Sequence, residues 1–199
     1  GRSEPFANGG QGYQVARDVF DQALLAEASA AGAVVLAGTV VRDVKLEHSP
    51  AQVIYRTAEG QQHELRATMA LDCSGRSGVI ARQGHRWLEP HHATIALVGI
   101  WSRDGVWDVP EPSHTLVESY SDGWGWSVPV SPSVRYVAFM VDPRTTSLRK
   151  TADTTSVYQG ELNKTVQLSR MVRGARLMRK PWGRDASVYS ASKFGGSSF

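Results

Sequence analysis

The tightest constraint on the fold lies at Leu71-Asp72-Cys73-Ser74-Gly75-Arg76-Ser77-Gly78-Val79-Ile80-Ala81-Arg82. Met69, Ala70 and Leu71 lead into a run of small residues, and the helix-competent Val79-Ile80-Ala81-Arg82 follows. That pattern predicts a strand, a tight glycine corner and a helix start. Glycine lets the backbone approach a ligand closely, and the free N–H groups of a helix N-terminus suit an anion such as a pyrophosphate. An ordinary turn explains the same residues, so the flanking segments carry the decision.

Residues 1–12 read as a loop, broken by Pro5 and by Asn8-Gly9-Gly10. From Val15 the pattern turns helical: Val19, Phe20, Ala23, Leu24, Ala28 and Ala31 share one face, with Arg17, Asp21 and Gln22 facing away. Asp18 and Asp21 complement the helix dipole in the first turns, and Gly32 closes the helix. A short apolar run covers 33–36, and a strand whose half 43–47 alternates follows Gly38. Further strands are expected at 53–57 and 64–69, around the Glu59-Gly60 turn. The first third is therefore a helix entering a sheet with an inserted β-meander.

Strands are expected next at 93–101, 114–120, 123–130 and 134–141, and their short links favour an antiparallel sheet. A helix is expected over 153–172, with Asp153 or Thr154 as N-cap and with Val157, Leu162, Val166, Leu168 and Met171 as its apolar positions. A final strand is expected over 188–194.

At 199 residues, 41% hydrophobic and 21% charged, the chain is globular rather than disordered, with one sizeable core or one domain and part of another. The net charge of +3 is spread along it. The densest basic cluster (Arg170, Arg173, Arg176, Arg179, Lys180, Arg184) reads as a solvated helix face. It lacks the regular alternation with aromatic residues that a single-strand binder needs, so nucleic acid is not an expected partner. Cys73 is the only cysteine, so no internal disulfide forms and a reducing, cytoplasmic location is expected. No apolar run approaches the length of a membrane span. His85, His91 and His92 form the one histidine cluster, with no Cys or carboxylate at ligand spacing, so no metal site is expected. His48, His63 and His114 sit in polar contexts and read as surface residues.

Four segments stand in a telling order. They are Gly12-Tyr13-Gln14-Val15-Ala16-Arg17-Asp18-Val19-Phe20-Asp21, the glycine corner, Gly123-Trp124-Gly125-Trp126-Ser127-Val128-Pro129-Val130, and Trp182-Gly183-Arg184-Asp185-Ala186-Ser187-Val188-Tyr189-Ser190. Together they resemble the flavin-dependent halogenase branch of the FAD-dependent monooxygenases, which share the p-hydroxybenzoate hydroxylase-like fold. The first resembles that family's Y-x-V-x-R-x-x-F-D helix. The corner resembles D-A-S-G-R-S-G, with Cys73 in place of Ala. The third resembles W-x-W-x-I-P, with Val128 in place of Ile. The fourth resembles the R-D-x-S-Y lead-in to the strand before a Gly-Asp flavin motif.

The resemblance implies an α/β fold with α+β character: part of an FAD-binding Rossmann-like domain with a β-meander, followed by a substrate domain built on an antiparallel sheet. The expected boundaries are 1–89 for the first, 90–185 for the second, and 186–199 for a strand returning to the FAD domain. The family's glycine-rich opening, its active-site lysine and its Gly-Asp motif have no counterpart here. An interior piece of a larger flavoprotein is therefore expected, with no catalytic residue of its own and inactive alone.

Further roles follow only from the resemblance. Arg17 is placed near the flavin, against the competing reading of an exposed helix-terminal arginine. Val40 or Val41 is placed where strand backbone meets adenine, against a plain sheet-core valine. Asp72, Ser74 and Gly75 are placed beside the cofactor's diphosphate and ribose. Trp124, Trp126 and Pro129 are placed next to flavin and substrate. The two indoles, two residues apart, share one strand face and form a stiff wall, which core packing of a sheet also explains. The implied activity is halogenation of an aromatic or carrier-bound small molecule, with reduced FAD from a separate flavin reductase. A flavin monooxygenase, a geranylgeranyl-reductase-like enzyme and a non-catalytic scaffold are the alternatives.

Overall fold

A computed structural model describes residues 12–89, 91–146 and 153–199. The expected loop over 1–12 falls outside these residues up to position 11. In chain order come α1 (Arg17–Ala30), β1 (Val40–Lys45), β2 (Ala51–Arg56), β3 (Gln62–Ala67) and β4 (Arg86–Leu88). They are followed by β5 (Ile95–Ser102), β6 (Leu116–Tyr120), β7 (Gly123–Ser131) and β8 (Val134–Val141). Last come α2 (Thr154–Asn163), α3 (Gln167–Met171), β9 (Arg176–Leu177), β10 (Trp182–Asp185) and β11 (Tyr189–Ala191). The chain divides into two compact units, Glu27–His92 with Ser187–Phe199, and Gly1–Ala26 with Ala93–Ala186.

α1 forms where its periodicity predicts and stops at Gly32, whose N–H reaches the Ser29 carbonyl. None of its residues is buried: Val19, Phe20 and Leu24 remain 65%, 45% and 54% exposed. Its apolar face is thus open among the described residues.

In the unit Glu27–His92 with Ser187–Phe199, β1, β2 and β3 form the expected antiparallel meander. Its core is small, with Val44, Ala51 and Ile80 buried and Leu46, Val53, Ala70, Val79 and Phe199 packed against them. β4 and β11 pair antiparallel as a separate ribbon. The apolar run 33–36 lies outside the strands. One expectation fails here. No α-helix follows the glycine corner; a single 3-10 turn (Gly75–Ser77) gives way to irregular turns. The chain turns at Gly78, whose φ is +54°, and beyond it folds back so that the Asp72 carboxylate accepts from the N–H groups of Ile80 and Ala81. The last strand is also shorter than expected, spanning Tyr189–Ala191, with the Ser192 N–H to His85 carbonyl bond as the final rung of its pairing with β4.

The unit Gly1–Ala26 with Ala93–Ala186 is built on one antiparallel sheet, ordered β10-β5-β8-β7-β6, with β9 added to the far end of β5. Side chains alternate between its faces. Leu97, Gly99 and Trp101 of β5 line up with Phe139, Val137 and Arg135 of β8, and Phe139 and Val137 line up with Gly125 and Ser127 of β7. α2 and α3 pack on this face. A Cβ on Gly125 would lie 2.6 Å from Leu168 Cδ1, and one on Gly99 would lie 2.6 Å from the Tyr158 ring, so both glycines permit close helix approach. The buried core holds Leu97, Val137, Phe139, Leu168 and Met171. Trp101 Nε1 donates to the Tyr158 hydroxyl at 2.8 Å, and burial raises the pKa of that phenol well above its usual range.

The helix expected over 153–172 is two helices. Asp153 caps α2, its carboxylate accepting from the Ser156 N–H. The break before α3 comes from Glu118 on β6. Its carboxylate accepts from the N–H groups of Val166, Gln167 and Leu168 and so starts a new helix there. The basic cluster is not a helix face either. Arg170 lies in α3 and pairs with Asp108, Arg176 is in β9, Lys180 pairs with Asp153, and Arg179 stacks 4.0 Å from the Trp182 ring centroid.

Candidate functional site

The glycine corner is folded around Asp72. One carboxylate oxygen accepts from the Ser74 N–H at 3.1 Å and from the Ser74 hydroxyl, and the other from Ile80 N at 2.7 Å and Ala81 N at 3.1 Å. Partial burial alone would raise this carboxyl's pKa. The Ser74 hydroxyl and the N–H groups of Ala81, Ser74 and Ile80 outweigh it and hold the pKa down to about 2. Ser74 Oγ also accepts from Val79 N at 3.0 Å. Asp72 and Ser74 thus spend their polar atoms shaping the corner. Gly75 is its open point, with φ +63° and nothing within 4 Å of where a Cβ would sit. Gln83 ties the segment to β1, donating to Asp43 Oδ1 at 3.0 Å and to the Val44 carbonyl at 2.9 Å.

Three residues at the corner were assigned no role by sequence reading, although Arg76 and Tyr189 fall inside the motif segments. Arg76 donates to the Ser187 carbonyl at 3.1 Å, Arg86 donates to the Arg76 carbonyl at 2.9 Å, and both guanidinium groups lie over Tyr189, at 5.4 and 4.7 Å from its ring centroid. The resemblance of the fourth segment implied only that a strand over 186–199 returns to the same domain. Val40 and Val41, paired with Arg56 and Tyr55, are 51% and 39% exposed. Their backbone lies on β1, which has no second sheet neighbour among the described residues. Arg17 is exposed and bonds to Asp21 at 3.1 Å, which raises its pKa further.

In the other unit, Trp124 and Trp126 project together from β7 on the face opposite α2 and α3. Across the sheet this face runs Trp124-Met140-Ala96, then Trp126-Ala138-Val98-Trp182, then Val128-Tyr136-Ile100. Trp124 is 43% and Tyr136 38% exposed, while Ala96 and Ala138 are buried between their larger neighbours. The result is an aromatic surface with small residues along its floor. Trp126 Nε1 is buried and has no hydrogen-bond partner among the described residues. An unmade bond of this kind costs about 1–3 kcal/mol, so a bound acceptor would be stabilised there. Pro129 alternates to the other face, in register with Arg135.

Arg135 is the second feature that sequence reading missed. It is fully buried, with no carboxylate partner among the described residues. It donates to Ser127 Oγ at 2.8 Å and to the carbonyls of Pro112 and His114, and stacks 6.0 Å from the Trp107 ring centroid. Burial lowers its pKa from the usual arginine value. Ser127 belongs to the same Trp-Gly-Trp-Ser-Val-Pro stretch, so this buried cation braces the strand that carries the indoles. Among the described residues no three His, Cys, Asp or Glu side chains converge as a metal site would require, and no helix is long and apolar enough to cross a membrane.

The model of the tryptophan halogenase family matches residues 3–185. The chain belongs to that family. No curated protein matches the sequence. Among solved structures, the myxobacterial chondrochloren halogenase CndH, described as a variant of the FAD-dependent halogenases, superposes with a TM-score of 0.85 at 23% identity. That match covers 98% of this chain and 46% of CndH. CmlS, a flavin-dependent halogenase, gives 0.81 at 24% identity, over 92% of this chain and 34% of its own. The halogenase PltM, described in complex with FAD, gives 0.60 at 14% identity, over 77% of this chain and 34% of its own. The chain thus spans a third to a half of the length of these structures. At such identities the likeness establishes the fold, a mixed α/β arrangement with antiparallel sheets, which matches the expected class.

Proposed function

We propose that the protein to which these residues belong is an FAD-dependent halogenase. Its substrate is an aromatic or carrier-bound small molecule, and a separate flavin reductase supplies the reduced cofactor. The observation that carries this reading is the open aromatic face headed by Trp124 and Trp126, in a chain of the tryptophan halogenase family. FAD supplies the activation of oxygen that oxidises halide. The chain's residues fit the cofactor at the glycine corner, where the backbone at Gly75 is open to an approaching ligand.

In this reading Asp72 and Ser74 hold the corner in shape while Gly75 presents backbone to the cofactor's diphosphate. Val40 or Val41 offers strand backbone to the adenine, and Arg17 lies at the flavin side. Residues 1–89 with 186–199 serve the cofactor, and residues 90–185 serve the substrate. There the indoles line the reacting region and exclude water, which strengthens every polar interaction inside, while Pro129, on the opposite face in register with Arg135, supports the strand behind them. The exposed Cys73 thiol is compatible with a reducing, cytoplasmic location.

The test is to express the whole open reading frame that encodes these residues. It is then incubated with FAD, a flavin reductase, chloride or bromide and a panel of free and carrier-tethered aromatics, and products are read by mass spectrometry. A halogen in place of hydrogen supports the proposal. Incorporated oxygen instead gives the monooxygenase reading, and failure to bind flavin gives the scaffold reading.

A further inference from the structure

Arg86 sits beside the glycine corner without a carboxylate partner among the described residues. Its Nη2 donates to the Arg76 carbonyl at 2.9 Å, and its Nη1 approaches the Gly75 carbonyl at 3.5 Å. Its guanidinium lies 4.7 Å from the Tyr189 ring centroid, and Arg76 lies 5.4 Å from the same ring. Tyr189 and Arg86 belong to the paired strands β11 and β4, where Ala191 faces Arg86 and Tyr189 faces Leu88. Arg76 closes the circuit by donating from both terminal nitrogens to the Ser187 carbonyl, just before β11. The glycine at 78 is explained by the same arrangement. A Cβ there would lie 2.7 Å from Arg86 Nη1 and 2.9 Å from its Cζ, and φ is +54°.

These contacts have a direction. The Arg86 guanidinium takes the corner's carbonyls on the ribbon side, the Arg76 guanidinium takes that of Ser187, and Asp72 takes the N–H groups of Ser74, Ile80 and Ala81. That leaves Gly75 unobstructed. Ring stacking and a planar fork of donors suit arginine and not lysine, whose ammonium is a point donor. We propose that Arg86 is a positioning residue for the glycine corner, clamped by Tyr189 of β11, and that it sets the backbone shape with which the corner meets the diphosphate of a dinucleotide cofactor. This rests on the reading of that corner as a cofactor site. It adds that the returning strand β11 controls cofactor affinity without touching the cofactor.

The experiment compares the full-length protein with Arg86→Ala, Arg86→Lys, Tyr189→Leu and Tyr189→Phe. All are held well below their unfolding temperatures. Two quantities are read: the FAD dissociation constant by flavin fluorescence, and hydrogen exchange of the amides of residues 73–79 without FAD. Both Arg86 variants are expected to weaken FAD binding by about tenfold, the loss of a charge-assisted bond. Tyr189→Leu is expected to weaken it by about threefold or more through the lost ring stacking, and Tyr189→Phe to match wild type because the ring remains. Corner amides are expected to exchange faster in the three weakened variants. A purely structural role would lower the unfolding temperature and leave the affinity of the folded protein unchanged, and that result overturns the proposal. If wild type binds no FAD, the cofactor reading fails, and exchange alone then judges the clamp: unchanged protection in Arg86→Ala overturns it, faster exchange supports it. If the Arg86 variants do not fold, the two Tyr189 variants decide in the same way.

Discussion

Gly125, between the two indoles, faces the helices, and placing a methyl group there tests the packing that orients the Trp-bearing strand. In Gly125→Ala the new Cβ lies 2.6 Å from Leu168 Cδ1 and 2.8 Å from two carbons of the Phe139 ring. Carbon atoms prefer about 3.5–4.0 Å, so the overlap is about 1 Å against each neighbour. Leu168 and Phe139 are both fully buried and cannot swing into solvent. Overpacking of this kind costs about 1–3 kcal/mol. Losing glycine's freedom in the unfolded chain returns about 0.4–1 kcal/mol. The net destabilisation is about 1–2 kcal/mol, a factor of about 5–30 in the folded-to-unfolded ratio. Urea denaturation of the full-length protein, followed by tryptophan fluorescence, measures it. Leu168→Ala alone costs about 2–5 kcal/mol by leaving a cavity. In the double variant the methyl group enters that cavity, so the total falls short of the sum by at least about 0.5 kcal/mol. An unchanged midpoint for Gly125→Ala, or strict additivity in the double variant, would refute the reasoning.

Three further outcomes follow from the same contacts. Glu118→Ala removes the acceptor shared by three N–H groups at the start of α3 and is expected to cost about 1–2 kcal/mol, with Glu118→Gln intermediate, read by the urea midpoint. Asp72, with a folded pKa of about 2 against an ordinary 3.8, contributes stability that is complete above about pH 4 and is lost as pH falls through 2. The stability gap between wild type and Asp72→Asn is therefore expected to be wide at pH 5 and to narrow by pH 2.5; a gap independent of pH would contradict this. Arg135→Lys cannot hold Ser127 and two carbonyls at once and is expected to lose about 2 kcal/mol, measured by thermal unfolding.

What was legible in the sequence was whatever depends on near neighbours along the chain. Strand alternation located β5 to β8 and put Trp124 and Trp126 on one face, and three-and-four spacing located α1 and α2. Most of the misses involve partners far apart. Nothing near Val166 announces a helix break, because the cap is Glu118, on another strand. Arg135 reads as a polar interruption in an apolar strand, and its burial depends on carbonyls of Pro112 and His114, beyond β6. In the corner, a helix after Gly78 was a fair expectation from Val79-Ile80-Ala81-Arg82, but the segment forms only irregular turns folded back onto Asp72. Arg86 and Tyr189, about a hundred positions apart, had no local pattern linking them. The apolar face of α1 shows a limit of another kind, since periodicity reveals which residues share a face and says nothing of what covers it.

The most direct test of the cofactor reading is the visible absorption spectrum of the full-length protein, purified after FAD addition and freed of unbound flavin. Retained flavin absorbance at one cofactor per chain, its affinity weakened by substitution at Gly75 with a bulky residue, is the predicted result. A folded full-length protein that retains no flavin would contradict it and leave the glycine corner an ordinary turn.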